Sequence, residues 1–197
     1  GMLQGEDGTV IVNPNNAAQV GDEYYESLSD AIAQAETGET IVLLKDVTED
    51  ITVNKNIIID GQDQFTISGN TKLQNGTLQN LTLTTNQAAP NTLLTIGSTE
   101  KNAIKMDHVT VKYPVTGTSA GTASVAGNNN ADITITGCTF MNEANNNGVT
   151  EDAAEWSYGL YMNDQGTGSF TFTKSKFDGA FRTMLANING SVSITDN

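Results

Sequence analysis

The amino-acid sequence predicts an all-β fold, a right-handed parallel β-helix in which short strands coil into a solenoid behind one N-terminal capping α-helix. Three observations carry this. From Thr40 onward, apolar residues alternate in short runs, which is the period of a strand. Four later segments align without gaps at the same apolar positions, although the spacers between them differ in length. One amphipathic helical stretch precedes them all.

The helix is marked by Ser27-Leu28-Ser29-Asp30, a capping box with Asp in place of Glu. Leu28, Ala31, Ile32 and Ala35 follow at helical spacing, and Gly38 ends the cap, which is placed at 22–38. The strand period then begins with Ile41 and Leu43, Ile51 and Val53, Ile57 and Ile59, and Phe65 and Ile67.

The aligned segments start at Ile104 (IKMDHVTVK), Ile133 (ITITGCTFM), Phe170 (FTFTKSKFD) and Val192 (VSITDN). Positions one and three are apolar in all four, pairing Ile104 with Met106, Ile133 with Ile135, Phe170 with Phe172 and Val192 with Ile194. Position five is a turn-like mixture of His108, Gly137, Lys174 and Asp196. Position six is Val109, Cys138, Ser175 and Asn197, and position eight is Val111, Phe140 and Phe177. Leu78, Asn80, Leu81 and Leu83 form an earlier copy at positions three, five, six and eight. Ile96, Val125, Met162 and Met184 each stand eight residues before the segment that follows them. The segments begin 29, 37 and 22 residues apart, as in a solenoid with insertions at one corner.

A single repeat is too short to bury its own apolar face, so repeats must stack, at about 4.8 Å each, around one dry core. All eight apolar side chains at positions one and three are expected to face inward. Residues 1–197 therefore read as one domain, with the coil at 40–197 and insertions at 112–122 and 141–157.

Charge excludes several partners. Nine basic residues oppose 23 acidic ones, for a net charge of −14, and Arg182 is the sole arginine. Phosphate backbones need a basic stripe, so nucleic acid is excluded, and anionic membranes are disfavoured for the same reason. No apolar stretch approaches the roughly 20 residues of a membrane span, so no insertion is expected. Gly1 before Met2 reads as a cleavage scar, and an export signal is expected to have been removed ahead of it. Cys138 is the only cysteine, which rules out an internal disulfide, and it is expected to be buried and inert.

Tyr24 to Gly69, with SLSDAIAQA, GETIVLLKDV, ITVNKNIIIDG and FTISG, resembles the opening of pectin-lyase-like β-helix proteins, especially bacterial surface and adhesin-type members. ITITGCTF and FTFTKSKF are similar to the family's ordinary coil sequence. The resemblance implies that the helix plugs the first turn of the coil. It does not imply one activity, because this fold hosts lyases, hydrolases, epimerases, tailspikes and adhesins.

The family's hydrolases use paired carboxylates, and its polygalacturonase-like members carry Asn-Thr-Asp, Asp-Asp, Gly-His-Gly and Arg-x-Lys. This chain has none of the four. His108 falls at a turn position and is expected to be solvated. Pectate-lyase-like members use calcium carboxylates and a proton-abstracting arginine. Arg182 instead aligns with Leu94, Ala123 and Leu160, at the start of a strand. Asp60-Gly61-Gln62-Asp63 and the acidic stretch Glu143 to Glu155 offer oxygen ligands for calcium, yet neither matches a calcium motif, so no catalytic residue, metal or cofactor is assigned.

The most suggestive feature is a corner with four aromatic residues. The 141–157 insertion is rich in Asn and acidic residues and runs into Trp156-Ser157-Tyr158. Tyr161 alternates outward between Leu160 and Met162, and Tyr113 lies in the 112–122 insertion. Aromatic faces beside amides and carboxylates are a common way to grip sugars, so Tyr113, Trp156, Tyr158 and Tyr161 are the candidate glycan-binding residues. The sequence thus points to a non-catalytic extracellular module of a bacterial cell-surface or adhesin-like protein that contacts a carbohydrate or another host or cell-surface ligand. A polysaccharide lyase or glycoside hydrolase, and a purely structural stalk, are the alternatives.

Overall fold

In a computed structural model of the chain, residues 1–85, 92–113, 123–142, 158–164, 166–178 and 182–197 are described. The protein is mostly β, and Leu28–Gln34 is the one α-helix among the described residues. The helix is shorter than the 22–38 cap expected from sequence. Glu23–Tyr25 forms a strand instead, antiparallel to Ala18–Val20, because alternating residues there pair with the sheet. Ser27 caps the helix as expected, its Oγ accepting from the Asp30 N–H at 3.0 Å. The two ends are held by a later segment. The Glu49 carboxylate accepts from the N–H groups of Leu28 (2.8 Å) and Ser29 (2.9 Å), and Lys55 Nζ donates to the carbonyls of Ala33 (2.9 Å) and Ala35 (2.7 Å).

Two long sheets carry most of the strands. The first has six parallel strands, in the order Arg182–Ile188, Tyr158–Asp164, Ala123–Val125, Leu94–Ile96, Thr71–Leu73 and Ile51–Val53. The main path of the second runs through Ser191–Thr195, Ser169–Thr173, Asp132–Thr136, Ala103–Tyr113, Gly76–Thr84, Ile58–Asp60 and Thr40–Leu43. These too are parallel, and Ala18–Val20 adds antiparallel to Thr40–Leu43.

The registers are those the repeats predict. Ile104 pairs with Ile133, Ile133 with Phe170, and Phe170 with Val192. Met106, Ile135, Phe172 and Ile194 form the adjacent column, and Val111, Phe140 and Phe177 the one beyond the turn. Leu78, Leu81 and Leu83 pair with Met106, Val109 and Val111, so the earlier copy is in register as well. A parallel pair presents like side chains to like, and each fully buried Ile, Leu or Phe contributes roughly 1.5–3 kcal/mol.

Two expectations need correction. Six of the eight side chains at positions one and three are buried, but Val192 is 38% and Ile194 50% exposed. Among the described residues Ser191–Thr195 is the terminal strand of its sheet, paired on one side only, which leaves these side chains partly open. The upstream column also slips. Ile96, Val125 and Met162 pair as expected, but Met162 pairs with Ala186, and Met184 pairs with Leu160. Arg182 therefore lies beside Tyr158, not in the column of Leu94, Ala123 and Leu160. Ala186 is only six residues ahead of Val192, and a slip of two leaves the side-chain alternation in phase.

The turn at position five has one conformation throughout. Asn80, His108, Gly137, Lys174 and Asp196 have φ values of 53°, 51°, 63°, 51° and 56°. The left-handed bend falls inside the strands Gly76–Thr84 and Ala103–Tyr113, and it separates Asp132–Thr136 from Thr139–Asn142 and Ser169–Thr173 from Lys176–Asp178. It favours Gly and Asn, so His108 and Lys174 occupy it at a cost of about 1 kcal/mol each. At the other end of the chain, Met2–Gln4 and Val10–Val12 form an antiparallel hairpin whose Met2, Leu3, Val10, Ile11 and Val12 are all exposed.

Candidate functional site

The aromatic corner is only partly assembled. Tyr113 is not on an insertion. The strand Ala103–Tyr113 extends through it, pairing Lys112 with Met141 and Tyr113 with Asn142, and the alternation that buries Val109 and Val111 carries the Tyr113 ring inside at 1% exposure. Its hydroxyl has no hydrogen-bond partner among the described residues, and burial raises its pKa above the usual tyrosine value. Tyr113 is thus a core residue, which removes it from the glycan-binding set. Tyr161 is half-buried and lies on the outward phase of its strand, between buried Leu160 and Met162 and in register with Ser124. Tyr158 opens the same strand. Trp156 and the acidic stretch at 143–155 lie outside the described residues, as do 114–122.

Cys138 is buried, as its column suggests, and burial pushes its thiol up to about 11. Its surroundings reveal a ladder. The N–H of Val109 donates to Cys138 Sγ (3.4 Å), the N–H of Cys138 to Ser175 Oγ (2.9 Å), and the N–H of Ser175 to Asn197 Oδ1 (2.9 Å). The left-handed bends at His108, Gly137 and Lys174 turn the following N–H away from strand pairing, and the side chain one repeat on accepts it. A buried N–H without such a partner would cost about 1–3 kcal/mol.

The carboxylates do structural work of the same kind. Asp60 accepts from the Gln62 N–H at 2.8 Å, from Gln79 Nε2 at 2.8 Å and from Asn80 Nδ2 at 3.3 Å. Asp46 and Asp50 accept the N–H groups of Thr66 and Asn70, each 20 residues on. Among the described residues, no group of three or more His, Cys, Asp or Glu side chains is placed to hold a metal ion.

One surface groove, of about 150 Å³, lies where three repeats turn. Asp63, Gln64, Phe65, Thr82, His108 and Thr110 line it, together with Asn80. His108 Nδ1 meets Asp107 Oδ1 at 2.6 Å, and its side chain is 67% exposed, as expected of a turn residue. A Cβ on Gly137 would meet the His108 ring at 3.1–3.3 Å, so the imidazole rests against the next repeat where glycine leaves room. The sequence signal for this groove was the run of position-five residues, which reads as turn chemistry alone until neighbouring repeats are superposed. Comparison with protein-family models, with curated proteins and with solved structures finds no match to this chain.

Proposed function

We propose that the chain is a right-handed parallel β-helix module of a bacterial cell-surface, adhesin-like protein, and that it acts extracellularly by contacting glycans without cleaving them. The observation that carries this reading is the parallel register of like positions across spacers of unequal length. It supports a coil whose outer columns are rich in Thr and Ser, such as Thr134, Thr171 and Ser193 beside Thr136, Thr173 and Thr195, and the helix at Leu28–Gln34 suits a plug over the first turn. Such faces offer repeated hydroxyls to an extended ligand. The acid–base chemistry of a lyase is disfavoured because Arg182 lies beside Tyr158, at the opposite end of its sheet from Ile51–Val53, and because the carboxylates of Asp46, Asp50 and Asp60 are engaged by backbone and amide donors.

The test is a glycan-array screen run beside a cleavage assay on polyuronates. Binding without product formation is expected. Trp156→Ala should weaken binding with little loss of thermal stability. Product formation abolished by Arg182→Ala or His108→Ala would replace this reading with the lyase or hydrolase. A Trp156→Ala variant that loses roughly 3–5 kcal/mol of stability, with no ligand found, would leave a structural stalk.

A further inference from the structure

The groove at the repeat turns has features that a solvated corner does not need. The side chains of Asp63, Gln64, Thr82 and Thr110 line it without a hydrogen-bond partner among the described residues, whereas Asp60 and Asn80 beside it bond to each other. Phe65 supplies one half-buried ring, steadied by its packing against the core. His108 supplies a second flat group, fixed from two sides by the Asp107 carboxylate and by the backbone at Gly137. Thr66, Thr82 and Thr110 pair in register, so the groove wall repeats its hydroxyls along the stacking direction. Successive repeats are about 4.8 Å apart, close to the length of one pyranose residue.

We propose that this groove binds a neutral, linear glycan laid across successive repeats. One sugar ring would sit at Phe65 and His108, with its hydroxyls on Thr82, Thr110, Gln64 and Asp63. The inference rests on the glycan-contact reading above and adds a second contact to the one at Trp156. An apolar sugar face suits the ring of Phe65, and unfilled donors and acceptors suit the hydroxyls. Neutrality follows from charge. Asp63 and Asp107 stand at the groove of a chain with net charge −14, which repels uronates and sulfated sugars. A shallow groove that holds about one ring binds weakly, so display of several copies on one surface would be needed for useful avidity.

The experiment titrates the full chain with cello-, xylo- and manno-oligosaccharides and with oligogalacturonate, followed by calorimetry or ligand-detected NMR. His108→Ala and Thr110→Val remove groove contacts at outward positions, and circular dichroism checks that both fold. Binding of a neutral oligosaccharide that falls about tenfold or more in both variants supports the groove. Neutral binding that is lost only in Trp156→Ala overturns the groove and leaves the glycan-contact reading standing. Preference for oligogalacturonate overturns the proposed ligand class. No binding of any of these sugars by the groove, with hits elsewhere on a glycan array, overturns the groove alone. An empty array overturns both.

Discussion

Glu49 and Lys55 grip opposite ends of the same helix, the carboxylate at the N–H groups of Leu28 and Ser29 and the ammonium at the carbonyls of Ala33 and Ala35. Each charge has the sign that the helix dipole favours at its end. A seven-residue helix is too short to persist alone, so these contacts and its buried Leu28, Ala31 and Ile32 hold it in place. Glu49→Ala should lower stability by about 1–2 kcal/mol, and Lys55→Ala by less, since two backbone donors lose their acceptor in the first and only carbonyls are left open in the second. Urea denaturation of both variants checks the order.

Ser175→Ala should leave the buried N–H of Cys138 unpaired and cost about 1–3 kcal/mol, although only one oxygen is removed. Ser175→Thr, which retains the hydroxyl, should recover most of the loss. Equal destabilisation by both substitutions would mean that packing, not the hydrogen bond, sets the requirement at position six.

Stability should fall in alkali. The Cys138 thiol ionises near 9.0 when unfolded and at about 11 when folded, and Tyr113 is raised in the same sense. Above 9 the unfolded chain gains thiolate first, so folding free energy is lost as pH rises from 9 toward 11, with no such loss at neutral pH. Cys138→Ala should flatten part of this decline in a pH series of thermal melts. Thiol reagents at pH 8 should label Cys138 only as fast as the native protein opens.

Gly137→Ala should destabilise by about 1–2 kcal/mol, because φ is +63° and the new methyl would press on the His108 ring. Gly137→Ala combined with His108→Ala should recover the steric share and retain the backbone share, which separates the two causes in a double-mutant cycle.

Position in the stack should outweigh residue type. Ile133→Ala is expected to cost roughly 2–5 kcal/mol, whereas Val192→Thr and Ile194→Thr should stay within about 0.5 kcal/mol each, because both side chains are already exposed on the terminal strand. Chemical denaturation of the three variants reads this directly.

The columns of Ile104, Met106 and Val111 were legible in the sequence because apolar alternation survives unequal spacers. The slip that pairs Met162 with Ala186 was not, since a shift of two residues leaves the same pattern in the letters. Tyr113 was misplaced for a related reason. An insertion boundary and a strand extension differ only in whether the next alternating residue finds a partner, and here Asn142 provides one. The roles of Glu49 and Lys55 lie about 20 residues from the helix they hold, beyond any local capping rule. Position six drifts from Val109 through Cys138 and Ser175 to Asn197, a polar trend visible in the chain that acquires meaning only when Cys138, Ser175 and Asn197 are each seen to serve the repeat before them.

Unequal spacers between fixed columns have a use in protein engineering. The pairs Tyr113 with Asn142 and Leu94 with Ala123 stay in register across the 114–122 segment, so chain length there is decoupled from the stack. Doubling such a segment costs only about 0.6 kcal/mol of closure entropy. Foreign peptides grafted into 114–122 or 143–157 should therefore be carried as passengers, displayed at intervals set by the repeats that flank them.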